Sequence, residues 1–431
     1  MSFPRYPEYK DSGVEWLGEV PAHWSPRRLG YYFMERREKV SDIEYAALSV
    51  TKAGVVPQLE TAAKTDDGDN RRKVCAGDFV INSRSDRKGS AGLSDLDGSV
   101  SLINIVLQPQ DEITPTFAHH MLRSVPFQEE FYRYGKGIVA DLWSTNYSEM
   151  RNILLAMPPI NEQAAIANFL DRETAKIDEL VAEQEKLIAL LKEKRQAVIS
   201  HAVTKSLDPG APMKDSGIEW LGEVPAHWEV GPLKRFAEVI DCKHHTVQFL
   251  DEGWPIVSIR ELRNDRIELT DAKLTSQGEW KFLREGRIPQ RGDMIFCRNA
   301  SVGAVGYVDF DEPFCMGQDV CLIRPDSKSR FMHFQLTSTL IRDQIEAFLV
   351  GATIRRANVE EIRGLSAAHP PPKEQEKIAE FLSGEVAKFD ALSADAEKTI
   401  ELLKERRSAL ISAAVTGKID VRGLVADREA A

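Results

Sequence analysis

The sequence predicts an α+β chain written twice. Two mixed α/β domains are separated by two long helices that pair as an antiparallel coiled coil, and a pseudo-two-fold internal repeat relates the halves. Three observations carry this prediction. Residues 10–24, KDSGVEWLGEVPAHW, recur at 214–228 as KDSGIEWLGEVPAHW, and Val14 against Ile218 is the single difference. Residues 158–208 align without a gap to 370–420, with 29 identities in 51 positions. The intervening segments, 25–157 and 229–369, have similar lengths of 133 and 141 residues and share only a few landmarks. Such a period is the signature of duplicated architecture. The division expected is a first domain with its motif at 1–157, a central helix at 158–208, a second domain with the repeated motif at 209–369, and a C-terminal helix and tail at 370–431.

In chain order, the doubled motif comes first. Its Trp16, Leu17 and Trp24, with their copies Trp220, Leu221 and Trp228, are large apolar groups suited to buried anchoring. The domain that follows mixes short alternating apolar runs with glycine turns, as in Gly77-Asp78-Phe79-Val80-Ile81 and Gly292-Asp293-Met294-Ile295-Phe296, which is strand-like patterning. Apolar helical stretches are expected near 115–133 and 330–349.

Each PP-x-x-EQ segment opens with prolines, which suit a helix entrance, and then runs about 45 residues without another. Steps of four and three from Ile166 give Leu170, Glu173, Ile177, Leu180, Gln184, Leu187, Leu191, Lys194 and Val198. The second copy gives Ile378, Leu382, Glu385, Phe389, Leu392, Ala396, Thr399, Leu403, Arg406 and Leu410. A period near 3.5 is that of a coiled-coil seam, and each helix is the natural cover for the other. Glu173 and Glu385, with Lys194 and Arg406, are then candidates for setting an antiparallel register.

Charge limits the function. The chain carries 56 Lys and Arg against 67 Asp and Glu, a net −11 over 431 residues, which argues against a simple DNA-coating protein. The excess is uneven. The two variable segments hold 17 basic against 18 acidic and 19 against 21 residues, only −3 together, and −8 falls to the repeats and their flanks. Within the near-neutral domains the cations cluster as Arg71-Arg72-Lys73, as Arg84, Arg87, Lys88 and Ser90, and as Arg260, Arg263 and Asn264. Further clusters are Arg298-Asn299 and Arg355-Arg356 with Asn358, while Lys136 and Asn146 lie in aromatic and glycine loops. Arg and Lys take guanine edges, Asn takes adenine, and Ser and Lys suit phosphate. Double-stranded DNA is therefore the expected ligand. Trp143 and Tyr134 fit either base contact or packing at the domain–helix junction. A tandem coiled-coil adaptor whose heads bind proteins is the competing class and accounts for the acid balance directly.

Catalytic signatures do not assemble. Met157-Pro158-Pro159-Ile160 and His369-Pro370-Pro371-Pro372 lack the polar residue and the aromatic that a DNA amino-methyltransferase places around its prolines. Thr416-Gly417-Lys418-Ile419 lacks the earlier glycine and the hydroxyl of a P-loop. Pro325-Asp326-Ser327-Lys328 has no spaced second carboxylate to make a nuclease. The five cysteines show no C-x2-C pair, so neither a zinc finger nor a disulfide framework is expected. His244-His245 beside Cys242 is a weak metal candidate, and the metal expectation is none. No run is long enough to span a bilayer and the start has no apolar signal core, so a cytoplasmic protein without membrane contact is expected.

The YKDSGVEWLGEVPAHW opening, its copy at 214–228, and the PPxxEQxxIAxFL entrances at 158–170 and 370–382 resemble the specificity subunits of type I restriction–modification systems. The resemblance covers essentially the whole chain. It implies two target recognition domains, each reading half of a bipartite asymmetric DNA site, with the two helices setting the spacer between half-sites. It also implies two modification subunits docked on the repeated regions and restriction (translocase) subunits beyond them. S-adenosylmethionine, ATP and Mg are expected on those partners and no cofactor in this chain. By the same resemblance the complex is an adenine DNA methyltransferase and ATP-dependent endonuclease, while this chain is non-catalytic and helps to hold distorted DNA from which adenine is flipped. The tail after Thr416 is expected to fray.

Overall fold

The computed structural model describes residues 3–60, 68–137, 143–327, 329–349 and 356–424. Arg355 and residues 425–431 of the tail lie outside the described residues. The chain divides into two compact units, one of residues 1–185 with 398–431 and one of residues 186–397. Each unit therefore takes one variable domain and a stretch of both long helices.

In the first unit a four-stranded antiparallel sheet runs in the order Ala91–Leu93, Phe79–Asn82, Asn104–Pro109, Phe33–Glu35. A three-stranded sheet (Gly98–Val100, Arg71–Val74, Lys39–Val40) and a hairpin (Leu48–Thr51 with Gly54–Pro57) stand beside it. In the second unit a six-stranded sheet places Val320–Pro325 between Ala237–Asp241 and Met294–Cys297. A smaller three-stranded sheet is built around Trp254–Val257.

The two glycine landmarks occupy equivalent places. Gly77 and Gly292 turn with φ of 92° and 96°, a region open to glycine at no steric cost, and release a fully buried inner strand. The aspartate after each glycine is buried and held by an arginine fork. Asp78 accepts from Arg36 at 2.7 and 3.1 Å, and Asp293 accepts from Arg324 at 3.0 and 2.7 Å. These landmarks are framework, which is why they persist in domains that otherwise differ.

The central helix runs Ile160–Lys205 and the C-terminal helix Pro372–Val415, about 69 and 66 Å at the standard rise. In the first unit Ile166, Ala167, Phe169 and Leu170 share one core with Leu410, Ala414 and Val415. Asp178 pairs with Arg407 at 3.0 Å. In the second unit Ile199, Ala202 and Val203 share a core with Ile378, Ala379 and Leu382, and Arg195 pairs with Asp390 at 3.4 Å. In both, early residues of one helix meet late residues of the other, so the pairing is antiparallel. Asp390 and Arg407 are the repeat counterparts of Asp178 and Arg195, so one ion pair is made twice.

Half of the seam expected from the sequence is corrected. Ile166, Leu170, Ile177, Leu191, Ile378, Leu382, Phe389 and Leu410 are buried and Leu403 is partly so. Leu180, Leu187 and Leu392 are 45, 42 and 52 % exposed. The inward positions that alternate with the correct ones are Thr174, Val181, Ile188 and Arg195, and Val386, Ser393, Ile400 and Arg407, each one residue later than expected. The helix entrance, buried on two adjacent rows by the domain, had set the phase one step early. Glu173 and Glu385 accordingly bond lysines one turn along their own helices, at 2.9 and 2.7 Å, instead of setting register.

The doubled motif clasps the helix ends, as its aromatic content suggested. Asp11 and Asp215 accept from Gly13 and Gly217 in matching tight turns, and short hairpins follow. Leu17, Trp24, Leu221 and Trp228 are buried, whereas Trp16 is half-buried against Phe127 and Trp220 is exposed. In the first unit Glu162, at the helix entrance, accepts from Trp24 at 2.9 Å and Tyr6 at 2.6 Å and bonds His23 at 2.7 Å. Burial and that carboxylate push the Tyr6 phenol well up. Lys418, just past the other helix, donates to the Leu17 and Glu19 carbonyls. In the second unit Glu374 takes Ser206 and His227, and Lys205 donates to the Glu223 carbonyl.

Candidate nucleic-acid interface

The expected cation clusters fall into three groups. Two arginines are interior. Arg71 is 4 % exposed and donates to the Ser99 hydroxyl at 2.8 Å and carbonyl at 3.0 Å, and burial lowers its pKa. Arg298, also 4 % exposed, is ion-paired with Asp241 and donates to the Ala357 carbonyl at 3.2 Å. These two guanidiniums are structural, which corrects the expectation that they face DNA. A run of basic residues on a strand must alternate faces, so one of Arg71-Arg72-Lys73 had to point inward.

A second group is exposed or half-exposed but already paired. Arg72 bonds Glu35, Lys73 bonds Glu38, Arg84 bonds Asp86, Lys88 bonds Glu129 and Lys136 bonds Glu149. Surface pairs of this kind contribute little to stability, so these cations exchange partners at low cost. Arg260 donates to the Asp271 carbonyl and Arg263 to the Arg260 carbonyl.

The third group presents polar tips without a close ion pair among the described residues. Arg87 is well exposed, with Asp86 no nearer than 3.9 Å. Asn146 starts a short helix without a capping bond from its side chain. Asn264 projects from a two-residue turn, at φ 50° with Asp265 at 61°, where the left-handed backbone of a tight hairpin suits Asn and Asp. Arg356 and Asn358 are exposed, and Glu361 bonds back to the Asn358 backbone in a capping box.

Tertiary structure joins clusters that lie apart in sequence. A cleft of about 640 Å³ in the first unit is lined by Arg71, Arg87 and buried Ser90 together with Lys52, Asn82 and Asn104. The Asn104 side-chain oxygen there is buried and lacks a hydrogen-bond partner among the described residues. A second cleft of about 400 Å³ brings Arg72 and Asn146 beside Arg37 and Lys39. Backbone bridges of Ser144 to Arg84 and to Lys136 draw in the loop that carries half-exposed Trp143, whereas Tyr134 packs on the core. In the second unit Asn299 bridges to Arg356, so 298–299 and 356–358 form one patch. Lys52 is an isolated cation without a local signal, and Arg37 and Lys39 are masked by Glu35 and Glu38 in the same run.

The Asp241, Cys242 and His244 side chains also converge, within 4.8 Å of one another. Asp241 is occupied by Arg298, and burial raises the Cys242 thiol, which donates to the Gln318 carbonyl at 2.9 Å. The cluster is read as an internal hydrogen-bond network. Among the described residues no helix is long and apolar enough to cross a membrane.

Known proteins resemble both the sequence and the fold. Residues 225–402 match the model of the type I restriction modification DNA specificity domain. A chain named as the specificity subunit of the MjaX type I restriction enzyme of Methanocaldococcus jannaschii is 21 % identical, over 94 % of this chain and 96 % of its own. The EcoKI type I restriction enzyme specificity subunit of Escherichia coli K12 is 23 % identical over 81 % of this chain and 76 % of its own. A solved chain from work on complex assembly and conformational transition of the type I R-M system superposes with a TM-score of 0.70 at 17 % identity, covering 92 % of this chain and 98 % of that one. With its doubled motif, doubled helix and two unlike domains, the chain is similar over most of its length to type I restriction enzyme specificity subunits and carries a match to their DNA specificity domain at residues 225–402.

Proposed function

We propose that this chain is the DNA-recognition subunit of a type I restriction–modification complex and carries no catalytic machinery of its own. The observation that supports this best is duplication with selective divergence. The anchoring motif repeats with a single difference, the helices keep 29 of 51 positions and the inter-helix ion pair recurs, whereas the domains keep only their framework strands and differ in the polar groups they expose. A chain that must present two different surfaces from one frame has that form, and an asymmetric bipartite DNA site needs two different readers. Patches of exposed Arg, Lys and Asn suit phosphate and base edges. The adaptor reading explains the acid balance but not the paired cation patches.

In this reading the two helices form the antiparallel coiled coil that sets the spacing between half-sites, and the acidic repeated regions dock two modification subunits. Those partners bind S-adenosylmethionine, and restriction subunits bring ATP and Mg. The exposed leucines beside the seam, Leu180, Leu187 and Leu392, fit such docking. The complex works in the cytoplasm on double-stranded DNA. Methylome sequencing of cells expressing the chain with its modification subunit tests the proposal. A bipartite adenine-methylated motif is expected, and its absence with both proteins assembled overturns the reading.

A further inference from the structure

The repeat places one arginine at the same helical position twice, and the two surroundings differ in charge. Arg195 and Arg407 are counterparts. Beside Arg195, within the second unit, lies a cleft of about 520 Å³ to which Asp265, Glu268, Asp390 and Glu397 contribute carboxylates. Asp265, from the variable domain, takes the Arg195 guanidinium at 2.8 Å. Protein carboxylates thus satisfy the cations there.

Beside Arg407, within the first unit, a cleft of about 420 Å³ is lined by Lys52, Lys88, His119, His120, Arg123 and Arg407, with Gly89, Gln128 and Ile411 completing it. No carboxylate is among these residues. Arg407, Lys88 and His120 reach Asp178, Glu129 and Asp171, none of which lines the pocket. Among the described residues Arg123 has neutral partners only, the His119 ring at 2.7 Å and the Lys52 carbonyl at 2.6 Å, and burial with nearby Arg407 lowers its pKa. Lys52 has no ion pair among the described residues. The His119 ring is pushed down to about 4 by burial, then by Arg123, His120 and Arg407, and is uncharged at neutral pH. A partly desolvated guanidinium without a counter-charge is costly, and the second unit shows what normally relieves it.

We propose that this pocket of the first unit binds a phosphate group, held by the Arg123 and Arg407 guanidiniums with the Lys52 and Lys88 ammoniums at its rim. Guanidinium forks and ammoniums converging on one small volume offer more donors than a single carboxylate has lone pairs to meet, and a tetrahedral oxyanion matches them better. The group is either a phosphodiester of the DNA backbone, in which case the assignment rests on the DNA-recognition reading, or free phosphate or a nucleotide.

Two measurements on one variant separate these cases. Lys52 and Lys88 are exposed, so Lys52→Gln with Lys88→Gln preserves the fold, and Lys281→Gln in the second unit serves as control. Thermal unfolding of the full chain is followed in inorganic phosphate against chloride at constant ionic strength. Phosphate at about ten times its dissociation constant is expected to raise the wild-type midpoint by about 2–3 °C, and the double variant is expected to lose that rise. The salt dependence of duplex binding by the assembled complex is measured in parallel. A slope of log K against log salt smaller by about 1 in the double variant assigns the pocket to the DNA backbone. An unchanged slope with a lost phosphate shift assigns it to a free phosphate or nucleotide. A phosphate shift that disappears in the variant while no complex binds DNA keeps the pocket and defeats the DNA reading. No wild-type shift together with an unchanged slope, or a shift that survives the double substitution, overturns the proposal.

Discussion

Shortening both helices together is the sharpest test of their role in spacing. Removing residues 183–189 from the central helix and 396–402 from the C-terminal helix takes seven residues from each. The Asp178–Arg407 and Arg195–Asp390 pairs and both entrance carboxylates, Glu162 and Glu374, remain. Seven residues span about 10.5 Å of helix and turn through about 20° less than two full turns, so the seam stays in phase. Against a duplex that advances about 34 Å in ten base pairs, the spacer is expected to shorten by about three base pairs. Both half-sites are expected to stay as they were, because no domain residue changes. Methylated sites are mapped in cells that express the variant with its modification subunit. Methylation of the original motif at its original spacing would refute the reasoning, since the helices would then not set the distance.

Three further outcomes follow from the buried polar groups. Glu162→Ala strands the buried Tyr6 hydroxyl and Trp24 indole N–H and is expected to destabilise the first unit by about 2–4 kcal/mol. Glu374→Ala, whose own carboxylate is 22 % exposed against 6 % for Glu162 and whose partner His227 is exposed, is expected to cost about 1 kcal/mol, and denaturant midpoints of the two variants compare them. Arg298→Ala removes a buried guanidinium from Asp241 and the Ala357 carbonyl, leaving Asp241 with His244 and the Cys242 N–H, and is expected to cost about 1–3 kcal/mol, so DNA recognition weakens together with folding instead of shifting to a new sequence. His333 is buried, with its pKa pushed down to about 3 by burial first and Arg330 next. The unfolded chain therefore takes up a proton near pH 6.5 that the folded chain refuses. The associated stability is full above that pH and falls by about 1.4 kcal/mol per unit below it. Unfolding at pH 5.5 and 7.5 is expected to show a slope to which His333 and the likewise depressed His119 both contribute, and His333→Gln is expected to remove the His333 part.

The duplication, the antiparallel helix pair, the anchoring motif and the resemblance to type I specificity subunits were all legible in the sequence. Repeats survive translation into any fold, and a 3.5-residue apolar period is a local property of one helix. The phase of that period was not local. Around Ile166, Ala167 and Leu170 two adjacent rows are buried, because the domain and the other helix share one core there, whereas beyond Leu170 a single narrower stripe is inward, which moves one row of the seam from Leu180 and Leu187 to Val181 and Ile188.

The interface was legible as composition but not as a list of residues. Arg71 and Arg298 look like their neighbours in one dimension, yet strand alternation and the Ser99 and Asp241 partners take them inward. Lys52, Arg123 and Arg407 have no common signal, being 71 and 284 residues apart in succession, and still share one pocket. By itself the sequence determined that there are two readers on one repeated frame, because repeats and periods act along the chain. Which cations face solvent, which are paired, and where positive charge is left without a partner depends on what distant strands and helices bring within a few ångströms. The tertiary structure alone decided that.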